Sequence, residues 1–328
     1  MMANFPKGGK NSLFEKDFAE KFIPLKKKLT TLELKLQKII LLSLKDPKKS
    51  AVYWNKIRKE IEIVYKQMNV VFESWAKIEL PKRYAASLKL IDKVIKTTAS
   101  IIEKAKVPAN TLLHSGASRQ IVQALYREAV ETFATSTTLG MKNAFTFTRL
   151  TQQALLEEGL IDITIAEGFA EGNLNTGIGR LSKLFKEQLD SINGGQYVQA
   201  GRYRYKPSYY AEMVGRVKFH DAHSEASLSQ ARNHGTDLVQ ISSHNTTTAI
   251  CIDYEGRVYS ISGDDKRFPP LDNTPPYHPN CLHLMYPTFE SAMEVQGTLD
   301  KFSDFSKGRI DRPPVPASFI PSKNRVLV

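Results

Sequence analysis

Five side chains between residues 244 and 283 are of the two types that bind zinc most often. They are His244, Cys251, His278, Cys281 and His283. Zinc takes four nitrogen or sulfur ligands, commonly supplied as two close pairs along the chain. Cys281-x-His283 is a tighter step than the usual pair, and the sequence has no Cys-x-x-Cys pair. These residues are therefore candidate zinc ligands, and the sequence implies no other cofactor.

The same residues admit two other interpretations. In the first, Cys281 is a small buried apolar side chain, and His278 and His283 hydrogen-bond to loop backbone. In the second, Cys251 and Cys281, the two cysteines of the chain, form a disulfide, which needs an oxidising environment. Residue types and spacing leave all three interpretations open.

Two histidines on a predicted helix are further candidates for chemistry. His220 and His223 lie three residues apart, with Asp221 and Glu225 beside them. This spacing places the histidines on one helix face, where they form either an acid/base pair or, more often, a polar surface.

A serine-containing segment, Tyr259-Ser260-Ile261-Ser262, follows Arg202 and Arg216 and precedes Glu290. This order loosely resembles the Arg, S-x-S and Glu order of arginine-specific ADP-ribosyltransferases. Their paired E-x-E is missing, because Glu290 and Glu294 are four residues apart. The sequence also has no nucleophile elbow, P-loop or G-x-G-x-x-G motif. We therefore expect that the protein is not an enzyme, and we keep an ADP-ribosyltransferase-like effector as an alternative.

The N-terminal third is predicted to form three helices, over residues 25–44, 52–78 and 81–102. Pro47 ends the first helix, and Pro81 suits the first turn of the third. The second helix carries an apolar seam of about three heptads. Its members are Trp54, Ile57, Ile61, Val64, Met68, Val71, Trp75 and Ile78. Short connections predict antiparallel neighbours, in a bundle or an elongated hairpin.

Positive charge is concentrated in this helical third. Residues 1–110 hold 24 of the 46 Lys+Arg and 11 of the 34 Asp+Glu, a net charge of +13, whereas residues 111–328 carry −1. A solvated surface usually mixes both signs, so the excess favours a surface for DNA or for an acidic protein. An ordinary solvated surface is the alternative. The residues predicted to bind DNA or a partner are Lys26, Lys27, Lys28, Lys48, Lys49, Lys56, Arg58, Lys59, Lys82 and Arg83.

Residues 111–195 are predicted to be mostly helical and to connect the N-terminal helices to a different C-terminal region. Apolar stripes predict helices over 121–133, 144–158 and 178–189, and Ser191–Gly195 is predicted to be a loop. The sequence shows no secretory signal and no apolar run long enough to cross a membrane.

The C-terminal region is predicted to contain both helix and strand. Tyr209–Asn233 is predicted to be helical, and short β-type runs follow at 238–242, 249–252 and 257–261. Glu255-Gly256 lies at hairpin spacing between the last two runs. Prolines predict a long loop over Phe268–Pro279. The fold class is therefore α+β: a basic N-terminal helical bundle or hairpin, a helical connector and a small β-containing C-terminal domain.

Four blocks in the C-terminal half occur in an order typical of one protein family. They are Gly201–Tyr203 with Tyr210–Arg216, then Gly235–His244, Glu255–Gly263 and Pro276–His283. They resemble the GR-aromatic and Y-x-E-M-V-x-R, G-x-D-L-V-x-V-S-x-H, Q-G-K/R-V-F/Y-S-L/I-S-G and H-P-N-C-R-H patterns of Mu F-like minor head proteins of tailed phages, especially phage minor capsid protein 2. The resemblance covers roughly residues 115–290.

The chain matches this family motif at most of its positions and departs from it at two. The matching residues are Arg202, Glu212, Arg216, Asp237, His244, Gly256, Ser260, Gly263, Asn280, Cys281 and His283. Leu282 replaces the usual arginine after the cysteine. Tyr254 and Glu255 stand where the family commonly has a tryptophan before the glycine.

The resemblance implies a structural minor capsid protein of a tailed phage or prophage, incorporated in few copies during head assembly. Its implied partners are the portal protein, scaffold or major capsid protein, and packaged DNA, with no membrane. Its implied location is the virion head, and the host cytoplasm during assembly. A non-specific DNA-binding protein ejected with the genome is the alternative. The expected domains are 1–110 (basic helical), 111–195 (connector), 196–311 (Mu F-like minor head domain) and 312–328 (proline-containing tail).

Overall fold

The computed structural model of the protein describes residues 13–45, 47–101, 116–157, 197–244, 246–295 and 297–308. These residues are mostly helical, with short antiparallel strands in the C-terminal part, which confirms the predicted α+β class. The elements are α1 Leu13–Lys45, α2 Pro47–Val52, α3 Trp54–Ile101, α4 Gly116–Glu157, β1 Val198–Ala200, β2 Tyr203–Tyr205, α5 Pro207–Asn233, β3 Leu238–Ile241, α6 Ala249–Ile252, β4 Val258–Ser260, β5 Met285–Thr288, α7 Glu290–Val295 and α8 Leu299–Ser306. None of the described helices combines the length and the apolar character needed to span a membrane.

The chain divides into two compact units. The first unit comprises Met1–Glu20, Glu79–Leu125 and Arg216–Val328. The second unit comprises Lys21–Ile78 and Tyr126–Gly215.

Three of the predicted helix boundaries are wrong. α1 begins at Leu13 and contains Pro24, whereas its start was predicted at residue 25. α3 runs through Pro81, and α4 joins the two stripes that were predicted as separate helices. A proline inside a helix costs about 3 kcal/mol, because it removes one hydrogen bond and crowds the preceding turn. Leu80 and Tyr84 on either side of Pro81 are both buried, and full burial of such side chains contributes about 2 kcal/mol each. Packing therefore outweighs the local penalty, and the helix continues.

One β-type run is also misassigned. Ala249–Ile252 is the short helix α6, so the hairpin predicted at Glu255-Gly256 does not form. Only Cys251 of this run is buried, and short apolar runs do not distinguish strand from helix by periodicity. The other two runs form β3 and β4 as predicted, and Phe268–Pro279 contains no helix or named strand. The predicted helix at 178–189, the loop at 191–195 and the tail at 312–328 lie outside the described residues.

The second unit has an aromatic and aliphatic core between antiparallel segments of α1 and α3. The indole nitrogen of Trp75 donates to the Lys21 carbonyl at 3.0 Å, and Lys35 Nζ lies 3.5 Å from Gln67 Oε1, so the two segments run in opposite directions. Most of the predicted seam is buried or half-buried. Ile78, however, is 53% exposed, which corrects the prediction at that position.

The first unit is built on a three-stranded antiparallel sheet in the order β4-β3-β5. Val239 pairs with Tyr259 on one side and with Pro287 on the other. Side chains alternate along a strand, so β3 contributes to two apolar layers, one on each face. Val239 and Ile241 pack in a layer with Cys251, Cys281 and Met285. The opposite layer contains Leu238, Val258, Phe268, Met293 and Phe302.

Candidate functional site

Four of the predicted metal ligands meet in the first unit, and we call them the Cys–His cluster: Cys251, His278, Cys281 and His283. His278 Nε2 lies 3.1 Å from Cys251 Sγ, and Cys281 Sγ lies 3.5 Å from His283 Nδ1. The ligand atoms of Cys251, Cys281 and His283 all lie within 4.8 Å of one another. Cys251, Cys281 and His283 therefore form a compact group, and His278 lies beside it in contact with Cys251.

Backbone hydrogen bonds position the members of this cluster. Cys251 projects from α6 into the apolar layer below β3. The Cys281 N–H donates to the His278 carbonyl at 2.9 Å, which makes a turn that places both side chains together. Ser242 exchanges two hydrogen bonds with Leu284, at 2.8 and 2.9 Å, and so fixes the neighbouring His283 beside the sheet.

His244, the fifth predicted ligand, lies on the other side of His283. The two imidazole rings have centroids 4.0 Å apart. Glu255 accepts hydrogen bonds from the N–H groups of His244 and Thr246 and places Oε1 3.9 Å from His283 Nε2. His244, Glu255 and His283 form a second group of possible ligands. Sequence reasoning missed Glu255, because Glu255-Gly256 was interpreted as a hairpin turn.

Burial controls the protonation of this cluster. It raises the pKa of the Cys251 thiol to about 12, and the adjacent Cys281 adds to the effect. Burial also lowers the pKa of His283 to about 4, helped by His244, and it lowers the pKa of His244. Without an added cation the Cys251 thiol therefore keeps its proton at neutral pH, and His283 is neutral. Both cysteines are free and buried.

The S-x-S-G segment closes around Asp237, a match to the family motif. One carboxylate oxygen of Asp237 accepts from the Ser260 hydroxyl and, at 3.0 Å, from the Ser262 hydroxyl, and the other accepts from the Ser262 N–H at 2.8 Å. The Ser260 hydroxyl in turn accepts from the Gly263 N–H at 2.9 Å. Gly263 has a φ of +77°, a conformation that favours glycine. The motif therefore has a physical role in holding the turn after β4 to the start of β3.

The residues that suggested an ADP-ribosyltransferase-like enzyme make hydrogen bonds to neighbouring side chains. Glu290 is held by the Arg267 guanidinium, which also binds Asp265. These hydrogen bonds hold the pKa of both carboxyl groups below the usual range. Arg202 is exposed in the second unit and donates to the Tyr203 hydroxyl at 2.8 Å. Arg267 gave no recognisable signal in the sequence, since isolated Asp-x-Arg segments are common.

Three further residues of the family motif, Glu212, Gly256 and Asn280, lie in different parts of the structure. Glu212 lies 3.5 Å from Lys26 Nζ in the second unit. Gly256 is buried and has a φ of +75°, which again favours glycine. Asn280 is exposed in the turn between His278 and Cys281.

His220 and His223 are fully buried, so the polar helix surface predicted for them is wrong. With Glu15, Arg83 and Arg216 they form what we call the Glu15 cluster, inside the first unit. Glu15 makes an ion pair with Arg216 and lies 3.2 Å from His220 Nε2. The apolar neighbours Phe14, Phe18 and Phe219 surround these groups, and the guanidinium of Arg83 lies 3.6 Å from the Phe14 ring centre.

Burial lowers the pKa of both histidines in the Glu15 cluster. The hydrogen bond to the His283 carbonyl raises the pKa of His220, but burial and the nearby Arg83 outweigh it and lower the pKa to about 3. Burial, with Arg83 and His220 adding to it, holds the pKa of His223 well below its usual range. No pattern in the sequence indicated this cluster, because its members come from distant parts of the chain.

The predicted DNA- or partner-binding residues are mostly on the surface, with one exception. Lys26, Lys27, Lys28, Lys49, Lys56, Arg58, Lys59 and Lys82 are exposed. Arg83 is only 6% exposed and lies 3.7 Å from Asp17 Oδ2, so it belongs to the interior of the first unit and not to a binding surface. The Lys48 side chain lies outside the described residues.

Comparison with known proteins identifies one related family. A family model described as phage minor capsid protein 2 matches residues 83–301, about two thirds of the chain. The match includes all four sequence blocks and extends beyond the 115–290 inferred from them, so the resemblance is confirmed. No curated protein and no solved structure matches the chain.

Proposed function

The chain belongs to the phage minor capsid protein 2 family, and on that ground we propose that it is a structural component of a tailed phage or prophage head, acting in assembly beside the portal and the packaged DNA. The C-terminal part of the first unit is the packed module that attaches to the portal, scaffold or major capsid protein. The basic helices of the second unit face DNA.

The observation that carries the DNA part of this proposal is the charge of residues 21–78. This segment holds 14 Lys+Arg and 5 Asp+Glu. One of the acidic residues, Glu33, is buried and accepts a hydrogen bond from the Ser208 N–H at 2.5 Å, so it offsets little charge at the surface. Lys27, Lys28 and Lys56 are among the exposed cations.

Such a surface suits contact with the DNA backbone. Lysine binds phosphate without reading sequence, and each phosphate contact releases counterions. A head component beside densely packaged DNA needs that property and no base recognition. The near-neutral segment from Arg216 onward, with 12 Lys+Arg and 13 Asp+Glu, instead suits packing against protein.

Quantitative mass spectrometry of purified particles of the parent phage, before and after triggered DNA release, tests the proposed location. A few to a few tens of copies that stay with the emptied head are expected, since minor head proteins are incorporated in low number. Presence before release and loss after it would instead identify a protein ejected with the genome. Absence from particles would overturn the proposal.

Binding to duplex DNA over a series of salt concentrations tests the basic surface. The Lys27→Gln/Lys28→Gln variant removes two exposed charges and should lower the slope of log affinity against log salt by about 2. The matched control, Lys301→Gln/Lys307→Gln, removes two exposed charges from the first unit and should leave the slope unchanged. Equal effects of the two variants would show that the charge of residues 21–78 is not the DNA-binding feature.

A further inference from the structure

We propose that the four side chains of the Cys–His cluster bind one structural zinc ion, which fastens α6 to the loop before β5. This inference is independent of where the protein lies in the phage head. It rests on the donor types, their separations, their burial and the carboxylate behind one of the histidines.

Two sulfur–nitrogen separations in the cluster are close to those of tetrahedral zinc. Bonds of about 2.3 Å to sulfur and about 2.0 Å to nitrogen place a sulfur and a nitrogen ligand about 3.6 Å apart. The two sulfur–nitrogen pairs of the cluster lie at 3.1 and 3.5 Å. The three-residue group of Cys251, Cys281 and His283 is also compact, with all its donor atoms within 4.8 Å. These three donors form the core of the site, and His278, which lies outside this compact group but touches Cys251, turns its ring toward them to complete the set.

The spacing of the four ligands along the chain also suits a zinc site. Cys281 follows His278 after two intervening residues, a separation commonly found between zinc ligands, and the turn between them is held by a backbone hydrogen bond. Cys251 comes from the separate helix α6, 27 residues before His278. The ion therefore joins one close pair to a distant residue, with His283 completing the set.

Charge balance favours a divalent ion at this buried position. Two thiolates and two neutral imidazoles around Zn²⁺ give a complex with no net charge, which is the form that burial penalises least. Metal binding displaces the thiol protons to solvent.

The surroundings of His283 resemble those of a metal-bound histidine, except that the carboxylate oxygen next to it lies beyond hydrogen-bond distance. Its Nδ1 faces Cys281, while its Nε2 faces the Glu255 carboxylate at 3.9 Å. Histidine ligands usually present the ring nitrogen that does not bind metal to such an oxygen, which orients the ring and increases its basicity. Glu255 is itself oriented by the Thr246 N–H at 3.0 Å. It is therefore a positioning residue, and His244 packs on the ring of His283 outside the ligand set.

Four protein ligands leave no open position, so the ion is structural. The strands of the sheet are three or four residues long, and the chain between β4 and β5 is a long segment without a named helix or strand. A small β-module with so little regular structure gains from a metal cross-link.

Metal analysis of the full chain, purified without a histidine tag, tests the proposal. We expect about one zinc per chain, with two thiols that react with a thiol reagent only after the metal is removed. Cobalt(II) in place of zinc should give sulfur-to-metal charge-transfer absorption and the intense visible bands of tetrahedral coordination. Metal-free protein with two readily titrated thiols would overturn the proposal. Protein whose thiols appear only after reduction would contain a disulfide and would also overturn it.

Single substitutions test the assigned ligands. Cys281→Ser and His278→Asn should each lose most of the bound zinc and alter the cobalt spectrum. His244→Asn, a matched change in a histidine next to the cluster, should retain one zinc per chain. Because a variant that fails to fold would also lose metal, the metal content and cobalt spectrum of the unmodified protein decide whether a site exists. A spectrum without sulfur ligation, or zinc loss in His244→Asn with retention in His278→Asn, would refute the ligand set.

Discussion

The Cys–His cluster and the Glu15 cluster are both buried and polar, but they balance charge in different ways. In the Glu15 cluster the carboxylate of Glu15 faces the guanidinium of Arg216, so opposite charges are supplied by the protein. In the Cys–His cluster the partners are two cysteines and two histidines, and the adjacent carboxylate is that of Glu255. Both members of the Glu15–Arg216 pair are side chains of this protein, whereas the Cys–His cluster has the composition of a site that a cation completes.

This difference separates two ways of stabilising one compact unit. A buried ion pair depends on both of its members, because removing one leaves an uncompensated charge in a medium that solvates it poorly. A metal-linked cluster depends on an exchangeable ion, so its contribution varies with metal concentration. Perturbations that act on one cluster and spare the other therefore test the comparison.

Removal of zinc should have the largest effect. If free zinc is 1,000 times its dissociation constant, binding stabilises the folded chain by about 4 kcal/mol, and a chelator abolishes that contribution. Thermal unfolding with and without a chelator measures it. Glu15→Gln should show the same chelator-dependent shift as the unmodified protein, since its defect lies in the other cluster. A melting curve that does not respond to chelator would remove the proposed contrast between the clusters.

Glu15→Gln should come next, at about 3 kcal/mol, the lower end of the range for breaking a buried pair. The side chain of Arg216 retains 19% exposure, and glutamine keeps one acceptor for it, so the loss is less than for full burial. Urea unfolding in the presence of zinc measures the change. The control, Glu60→Gln, alters an exposed carboxylate within α3 and should change stability by less than about 0.5 kcal/mol. Equal effects would mean that the Glu15 pair contributes nothing specific.

The sequence predicted the members of the Cys–His cluster but not those of the Glu15 cluster. The donors of the Cys–His cluster lie within 33 residues of one another, and their types alone suggested metal. Glu15 and His220 are 205 residues apart, so only the folded chain brings them together. The prediction that His220 and His223 lie on a polar helix surface was wrong, because local spacing does not show which other segment covers a helix face.

The fold, too, has features that the local sequence predicts and features that depend on contacts between distant segments. Apolar periodicity predicted α1 from residue 25 onward and most of the α3 seam, because amphipathic helices carry their burial pattern in the local sequence. Residues 209–233 were also predicted to be helical and form most of α5. It did not predict the continuation of α3 through Pro81 or the helical state of α6, where packing and short length decide. The role of Asp237 in the S-x-S-G turn was likewise out of reach, since it depends on the pairing of β3 with β4.

Acid should destabilise the first unit through His223. Its pKa is lowered in the folded protein, so the unfolded chain binds the proton more readily, and stability falls as the pH drops below the ordinary value of 6.5. One histidine contributes a slope of up to about 1.4 kcal/mol per pH unit. His223→Leu removes this proton and should flatten the fall in stability between neutral and mildly acidic pH. Measuring both proteins in chelator keeps metal release out of the comparison, and parallel curves would show that His223 does not titrate as its burial requires.

Asp237→Ala should have the smallest effect, about 1 to 2 kcal/mol, although it removes several hydrogen bonds. Ser262 is exposed, so water replaces much of what its hydroxyl and N–H lose, whereas the fully buried Ser260 loses its acceptor without that compensation. Asp264→Ala, a change of the neighbouring exposed carboxylate, is the matched control and should be nearly neutral. Metal content should stay at one zinc per chain in both variants, because the turn that Asp237 holds follows β4 and contains none of the four ligands. A loss of zinc in Asp237→Ala would show that this turn and the Cys–His cluster are coupled through β3. Metal binding would then depend on hydrogen bonds outside the Cys–His cluster.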